Sequence, residues 1–468
     1  VFQKDAKMIG VRQYFLRTFY LKFDVEPLDT NDQHDLVRIA TAYCWIIAKS
    51  ADDAHRKAVF HIKKDEWRIV DNISHAEEVS REDFADRDIG LKAYDNAQRD
   101  GNAIVYAAVA RDGKTEMGPI ELKTKMSIDI SSFLEERKRN RLRGRCFHYT
   151  AGDNCSNYSM AHSIQKGKLL SEIARDGHVF GLSHYFGTKK KNRGRLSYKR
   201  IGINEISTFR GFCNKHDKEL FRPIDDHALI PTNEQAILYG YRSLCRELFV
   251  KENAMNLVVS ELEEVELPAV RNMLIGMAKG TYIGLRELQT HKNYFDETLN
   301  KSQFEDVRYV LFKTTNKPNI VFSGIIYPDY DFLGNQLQDL GDPNSRLGLI
   351  TYCSAWIEHG WGFLFAWHST SSTVCESFID SLKKAAKQKG NYQDYLFKLA
   401  VGCGNHAISP EWWEGLPNES KNAMIERISD IVDVLADVES SYLSMGLEGI
   451  SDWKFNEVVS NIGIHESL

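Results

Sequence analysis

The sequence has no apolar run of membrane-spanning length. Its longest nearly apolar stretches, Ala103–Ala110 and Trp361–Trp367, fall far short of the ~20 residues a helical span needs. Cysteine is scarce, eight in 468 residues, which excludes a disulfide scaffold. Proline and glycine, at 10 and 31, are ordinary in amount and show no period, so collagen-like and low-complexity chains are excluded too. No P-loop, Gly-x-Gly-x-x-Gly or Gly-x-Ser-x-Gly occurs, which argues against nucleotide-driven and α/β-hydrolase chemistry. The chain opens Val1-Phe2-Gln3, with Met8 a candidate start. It lacks the basic, apolar, small-residue pattern of a leader, so the expected location is the cytoplasm. At roughly 100–200 residues per domain, the length implies about two to four domains.

What the sequence does have is an uneven distribution of charge. The net charge is −5, yet Arg137–Arg200 carries 16 Lys/Arg against three acids, Asp153, Glu172 and Asp176. That window is +13, which leaves the rest of the chain at −18. Charge runs are often only solvated surface. Here the basic residues surround cysteines and histidines, and a cationic island in an acidic chain fits a polyanionic partner. The candidate phosphate contacts are Arg137, Lys138, Arg139, Arg141 and Arg143, then Lys189, Lys190, Lys191, Arg193 and Arg195. No helix-turn-helix signature and no RNP aromatic pattern chooses between DNA and RNA.

Hydrophobic periodicity predicts an α+β, multidomain chain in three regions. Residues 8–134 read as mixed α/β. Within them, Leu36–Ala48 has helical spacing, Ala58–Asn72 reads as two strands around Lys63-Lys64-Asp65-Glu66, and Leu91–Asp100 as a helix. Asn102–Arg111 reads as a buried strand and Ile120–Ile130 as an alternating one. Residues 135–227 form the basic region, where strands over His178–Phe186 and Arg195–Ile203 flank a cationic hairpin tip, Gly187–Gly194. Residues 228–468 form a third region with helices over 233–299, strands over 306–370 and helices over 375–446. From Cys375 onward, Met424–Met445 is the longest helical candidate.

The chemistry-bearing residues lie in the basic region. Zn²⁺ takes tetrahedral sets of Cys and His, usually as two close-spaced pairs. Cys213-Asn214-Lys215-His216 has the Cys-x2-His spacing of a zinc knuckle, and Cys146 and Cys155 form a looser Cys-x8-Cys pair. Together Cys146, Cys155, Cys213 and His216 make a Cys₃His set, with His148 and His162 as alternative ligands. Such a site would hold a Gly- and Lys-rich segment in shape, because metal binding contributes folding free energy directly. Met160-Ala161-His162-Ser163 sets a histidine at the end of a strand-like stretch, and Asp217 opens a helix-like one.

With these residues the segment over about 140–222 resembles HNH, or ββα-metal, nucleases that carry a structural zinc. The resemblance implies a small ββα or treble-clef-like module between the two flanking regions. His162 would be the general base on the attacking water. Asp217 would stand where the family has a metal-binding histidine, holding Mg²⁺ or Mn²⁺. Ala161 departs from the pattern, which commonly has an acidic metal ligand before the base, and 51 residues separate His162 from Cys213, so the basic hairpin would be an insertion. The activity implied is metal-dependent cleavage of DNA or RNA, as in a bacterial defence effector that its acidic flanks sense or restrain. A zinc-stabilised nucleic-acid-binding or regulatory protein without chemistry is the alternative, and a basic island that contacts an acidic partner protein or a second copy is a third.

Weaker signals lie elsewhere. Glu121-Leu122-Lys123, downstream of Asp112, has the Glu-x-Lys spacing of restriction-endonuclease-like strands, a spacing any alternating strand produces. Cys353 sits in an apolar strand-like run and reads as an inert thiol. Tyr327–Asn335 is rich in oxygen ligands but lacks calcium-loop spacing, so it reads as a turn. Ser409-Pro410-Glu411 reads as a capped helix start.

Overall fold

The computed structural model describes residues 17–31, 33–85, 88–111, 120–121, 130–152, 154–182, 196–264, 268–342, 345–389, 391–432 and 439–468. The architecture mixes helices with antiparallel sheets in two compact units. One comprises Val1–Glu135 with Leu257–Lys279, the other Glu136–Asn256 with Gly280–Leu468. Among the described residues no helix is long and apolar enough to cross a membrane.

In the first unit the elements run β1 (Arg17–Pro27), β2 (Val37–Ala48), α1 (Ala51–Lys64), β3 (Trp67–Asn72), β4 (Glu77–Val79), α2 (Asp88–Asp100), β5 (Asn102–Ala110) and β6 (Ile120–Glu121). The strands order β3-β1-β2-β5-β6, with β4 also on β1, and every pairing is antiparallel. Ala54, Ala58 and Ile62 of α1 pack with Leu21, Phe23, Ala42 and Cys44. Ala93 and Ala97 of α2 pack with Trp45 and Val105 on the opposite parity of the strands. The sheet is therefore covered on both faces.

That double cover corrects the helical reading of Leu36–Ala48. A strand buried on both sides is apolar at odd and even positions alike, which blurs its period of two and mimics helical spacing. Of the two strands read over Ala58–Asn72, the second is present as β3 and the first is corrected to helix. Ser50 caps α1 by accepting from the Asp53 amide at 3.2 Å, and Asp52 and Asp53 fill the first turn. Lys63 and Lys64 end that helix, with Glu66 in the left-handed region at φ 66°, so the predicted hairpin turn is a helix terminus.

The second unit is built on a nine-stranded antiparallel sheet. In chain order come α3 (Ile130–Leu142, in this unit from Glu136), β7 (Ala161–His162), β8 (His178–Leu182), β9 (Tyr198–Gly202), β10 (Thr208–Phe209), α4 (Asn214–Asp225), α5 (Asn233–Glu264, in this unit to Asn256) and α6 (Pro268–Lys301, in this unit from Gly280). β11 (Val307–Thr314), β12 (Ile320–Ile326), β13 (Ile350–Ile357), β14 (Gly360–His368), α7 (Ser372–Lys389), α8 (Gln393–Gly402), β15 (His406–Ile408), α9 (Pro410–Gly415), α10 (Asn418–Val432), β16 (Glu457–Ser460) and β17 (His465–Ser467) follow. The strand order is β17-β16-β11-β14-β13-β12-β15-β8-β9. The core is aromatic: Phe322, Trp361, Phe363, Phe365 and Trp367 are all buried, joined by Phe378, Phe397 and Trp453.

The expected strands of the basic region are present as β8 and β9, paired from His178↔Gly202 to Leu182↔Tyr198. They extend the large sheet through β15. The tip between them, with Lys189, Lys190, Lys191, Arg193 and Arg195, lies outside the described residues, as do Asp112 and Lys123. Of the expected helix Met424–Met445, α10 covers the part to Val432, residues 433–438 lie outside the described residues, and residues 440–445 form a turn and bend rather than helix.

Candidate metal centre and the residues around it

The metal cluster is assembled around the segment that leads into α4. Residues 210–213 have a neighbour on each side. Arg145 and Phe147 donate their amides to the carbonyls of Arg210 and Gly211, at 3.0 and 2.8 Å, and Ser159 donates to that of Phe212 at 2.9 Å. This brackets Cys213 between the Cys146 segment and Tyr158, with which it forms a β-bridge. Cys213 then occupies the N-cap of α4, with His216 in the first turn. Positions three apart at a helix start share a face, so the Cys-x2-His spacing brings both side chains to one point.

The ligand atoms of Cys146, Cys155, Cys213 and His216 all lie within 4.8 Å of one another. The Cys146 and Cys155 sulfurs are 3.4 and 3.5 Å from His216 Nδ1. A tetrahedral zinc with ordinary Zn–S and Zn–N bonds has S···N edges of about 3.6 Å. The donor set and its dimensions therefore fit a metal such as Zn²⁺. Burial pushes the Cys146 thiol up to about 11, while the Gly152 backbone lowers that of Cys155. A bound cation holds thiolates deprotonated against such a burial cost.

Neither alternative histidine joins the cluster. His148 stacks on His216, centroids 4.0 Å apart, and its Nδ1 accepts from the Thr150 amide at 3.1 Å. Burial, with the His216 charge second, pushes it down to about 4, so it packs as a neutral ring.

His162 sits on β7, opposite Thr208 of β10. Its Nε2 lies 2.9 Å from the Ile203 carbonyl, an acceptor only, which puts the ring proton on Nε2 and leaves Nδ1 as the basic nitrogen. Burial lowers its pKa, helped by the charges of Lys166 and Arg242 and opposed by the Ile203 bond and Asp225. Its neighbours fix this strand end. Ser163 donates to the Ser207 carbonyl at 3.1 Å and accepts from Asn405 at 2.9 Å. Gln165 donates to the Ile224 carbonyl and accepts from the Tyr239 hydroxyl at 3.0 Å. Asn405 also reaches the Ser323 carbonyl on β12, which ties this short strand to the large sheet.

Asp217 lies in the first turn of α4, directly after His216. Burial raises its pKa, while the Arg242 charge and a Ser159 hydrogen bond lower it. The fit for Mg²⁺ or Mn²⁺ here is poor. Among the described residues Asp217 belongs to no group of three or more metal donors, and a guanidinium shares its surroundings.

Of the basic residues, Lys138, Arg139, Arg141 and Arg143 are exposed and Arg137 is half-buried. Arg139 pairs with Glu136 at 2.8 Å. Arg145 and Arg210 are occupied structurally: Arg145 pairs with Glu252, and Arg210 donates to the Leu142 and Tyr158 carbonyls at 3.1 and 3.3 Å. Cys353 is buried on β13 and burial drives its thiol far upward, as an inert thiol requires.

The sequence pattern did not single out Arg242, Asp225 or Lys166. One signal was legible: Asp217, Phe221 and Asp225 recur every four residues, along one face of a helix. No family model, curated protein or solved structure matches the chain.

Proposed function

We propose that the chain hydrolyses phosphodiester bonds of DNA or RNA on a zinc-organised basic module. The observation that carries this reading is the setting of His162. Its tautomer is fixed by a backbone carbonyl, its pKa is lowered by burial, and it ends a strand of a β7–β10–α4 arrangement beside the Cys₃His cluster. Nδ1 takes a proton from the attacking water as the new P–O bond forms and the ester P–O bond breaks, and the leaving oxygen is protonated from solvent. The exposed cations of α3 and β9 hold the polyanion by its phosphates.

His162→Ala tests the proposal. Cleavage should fall by about 10²–10⁴-fold, the usual contribution of a general base, with zinc content, folding and nucleic-acid affinity nearly unchanged. A binding protein without chemistry is the second reading, favoured by Ala161, which supplies no ligand, and by the guanidinium beside Asp217. Wild-type protein that binds nucleic acid and cleaves none, with or without Mg²⁺ or Mn²⁺, would establish that reading instead.

A further inference from the structure

Arg242, on α5, is only 4% exposed. Its terminal nitrogens donate to both oxygens of Asp225, at 2.9 and 2.6 Å, and its guanidinium carbon lies 4.1 Å from the centre of the Phe221 ring. Asp217, Phe221 and Asp225 are spaced i, i+4 and i+8 on α4, so Phe221 lies midway along a face with a carboxylate about 6 Å along the axis to each side. A cation over Phe221 and bonded to Asp225 therefore lies along the same face of α4 that carries Asp217. Its charge reaches both Asp217 and His162. The Nε of Arg242 is buried without a hydrogen-bond partner, leaving one donor of the fork unspent.

A second cation differs from it in every respect. Lys166 is exposed, four residues after His162, and its charge acts on the imidazole. Among the described residues its ammonium has no partner. We propose that the cations of this site are built into the chain. Arg242 occupies the place beside Asp217 where the nuclease resemblance puts Mg²⁺ or Mn²⁺, and Lys166 meets a phosphate of the substrate. The Lys166 half rests on the phosphodiesterase reading, whereas the Arg242 half stands on its own geometry. A buried guanidinium whose charge acts on Asp217 repels a second cation there, and Mg²⁺, which sheds water reluctantly, needs more than one such carboxylate in competition with it.

The test uses the full chain loaded with zinc. Mn²⁺ is titrated in and followed by electron paramagnetic resonance, with wild type compared against Asp217→Asn. The expectation is no stoichiometric Mn²⁺ uptake by wild type, and the appearance of one site in Arg242→Gln that Asp217→Asn removes again. One Mn²⁺ per wild-type chain, lost on Asp217→Asn, would overturn the Arg242 assignment. That comparison decides the matter even if Arg242→Gln fails to fold. Lys166→Gln should lower cleavage about 10²-fold, as loss of a charge-stabilising donor does, with zinc content unchanged. Cleavage at the wild-type rate would overturn the Lys166 assignment. A chain that cleaves nothing would take the Lys166 half down with the phosphodiesterase reading and leave Arg242 to the Mn²⁺ result.

Discussion

At the scale of single residues the proposed base, His162, has its two ring nitrogens in different situations. Nε2 is committed to Ile203, so only Nδ1 can accept a proton. Burial and the Lys166 and Arg242 charges disfavour the imidazolium, which puts its folded pKa below the ordinary imidazole value of about 6.5. A base must be neutral to act. The acid limb of kcat/KM is therefore expected to fall below about pH 6.5, in contrast to an unperturbed imidazole. A pH–rate profile checks this, and an acid limb above about 6.5 would show that the titrating base is another group. The same depression predicts a stability effect. The unfolded chain binds the proton more readily, so stability is lost as pH falls from about 6.5 toward the folded value. His162 and the four zinc-type ligands were legible because each is named by local spacing. Arg242 and Lys166 were not, since the roles proposed for them rest on the contact of α5 with α4 and on the helical turn Lys166–Leu170.

At the scale of elements, the end of α3 and Arg143 just past it carry a run of exposed cations. Lys138, Arg139, Arg141 and Arg143 project into solvent, whereas Arg145 and Arg210 are held in structural bonds. Replacing the first four with glutamine should weaken nucleic-acid binding at low salt and flatten its salt dependence. Every phosphate that these side chains no longer neutralise takes roughly 0.7–0.9 off the slope of log K against log salt. Binding titrations across salt concentrations measure it, and an unchanged slope would remove α3 from the interface. Elements with one exposed face, such as α2, or with a pure apolar run, such as β5 and β14, were legible in the sequence. β2 was not, because helices on both faces of its sheet remove the polar half of its alternation. α1 was misread because its charged end, Lys63 to Glu66, has the composition of a turn.

At the scale of the whole molecule, the Cys₃His cluster, which could hold a metal such as zinc, joins distant stretches of the second unit. Three separate stretches, around Cys146, Cys155 and Cys213, meet where the donor atoms of a Cys₃His set converge within 4.8 Å. Those same stretches set β10 and α4, and through them the places of His162 and Asp217. Metal binding contributes folding free energy, so removal of the ion should loosen this corner of the second unit first. The large aromatic core around Phe322, Phe363 and Trp453 should keep its own fold. Metal content per chain, measured by elemental analysis on protein purified without chelator and on its Cys213→Ser variant, is the most direct test. About one zinc per wild-type chain is expected, with that zinc absent from Cys213→Ser. Wild-type protein carrying less than about half an equivalent of zinc, or a Cys213→Ser variant that retains it, would overturn the assignment of a zinc-organised module.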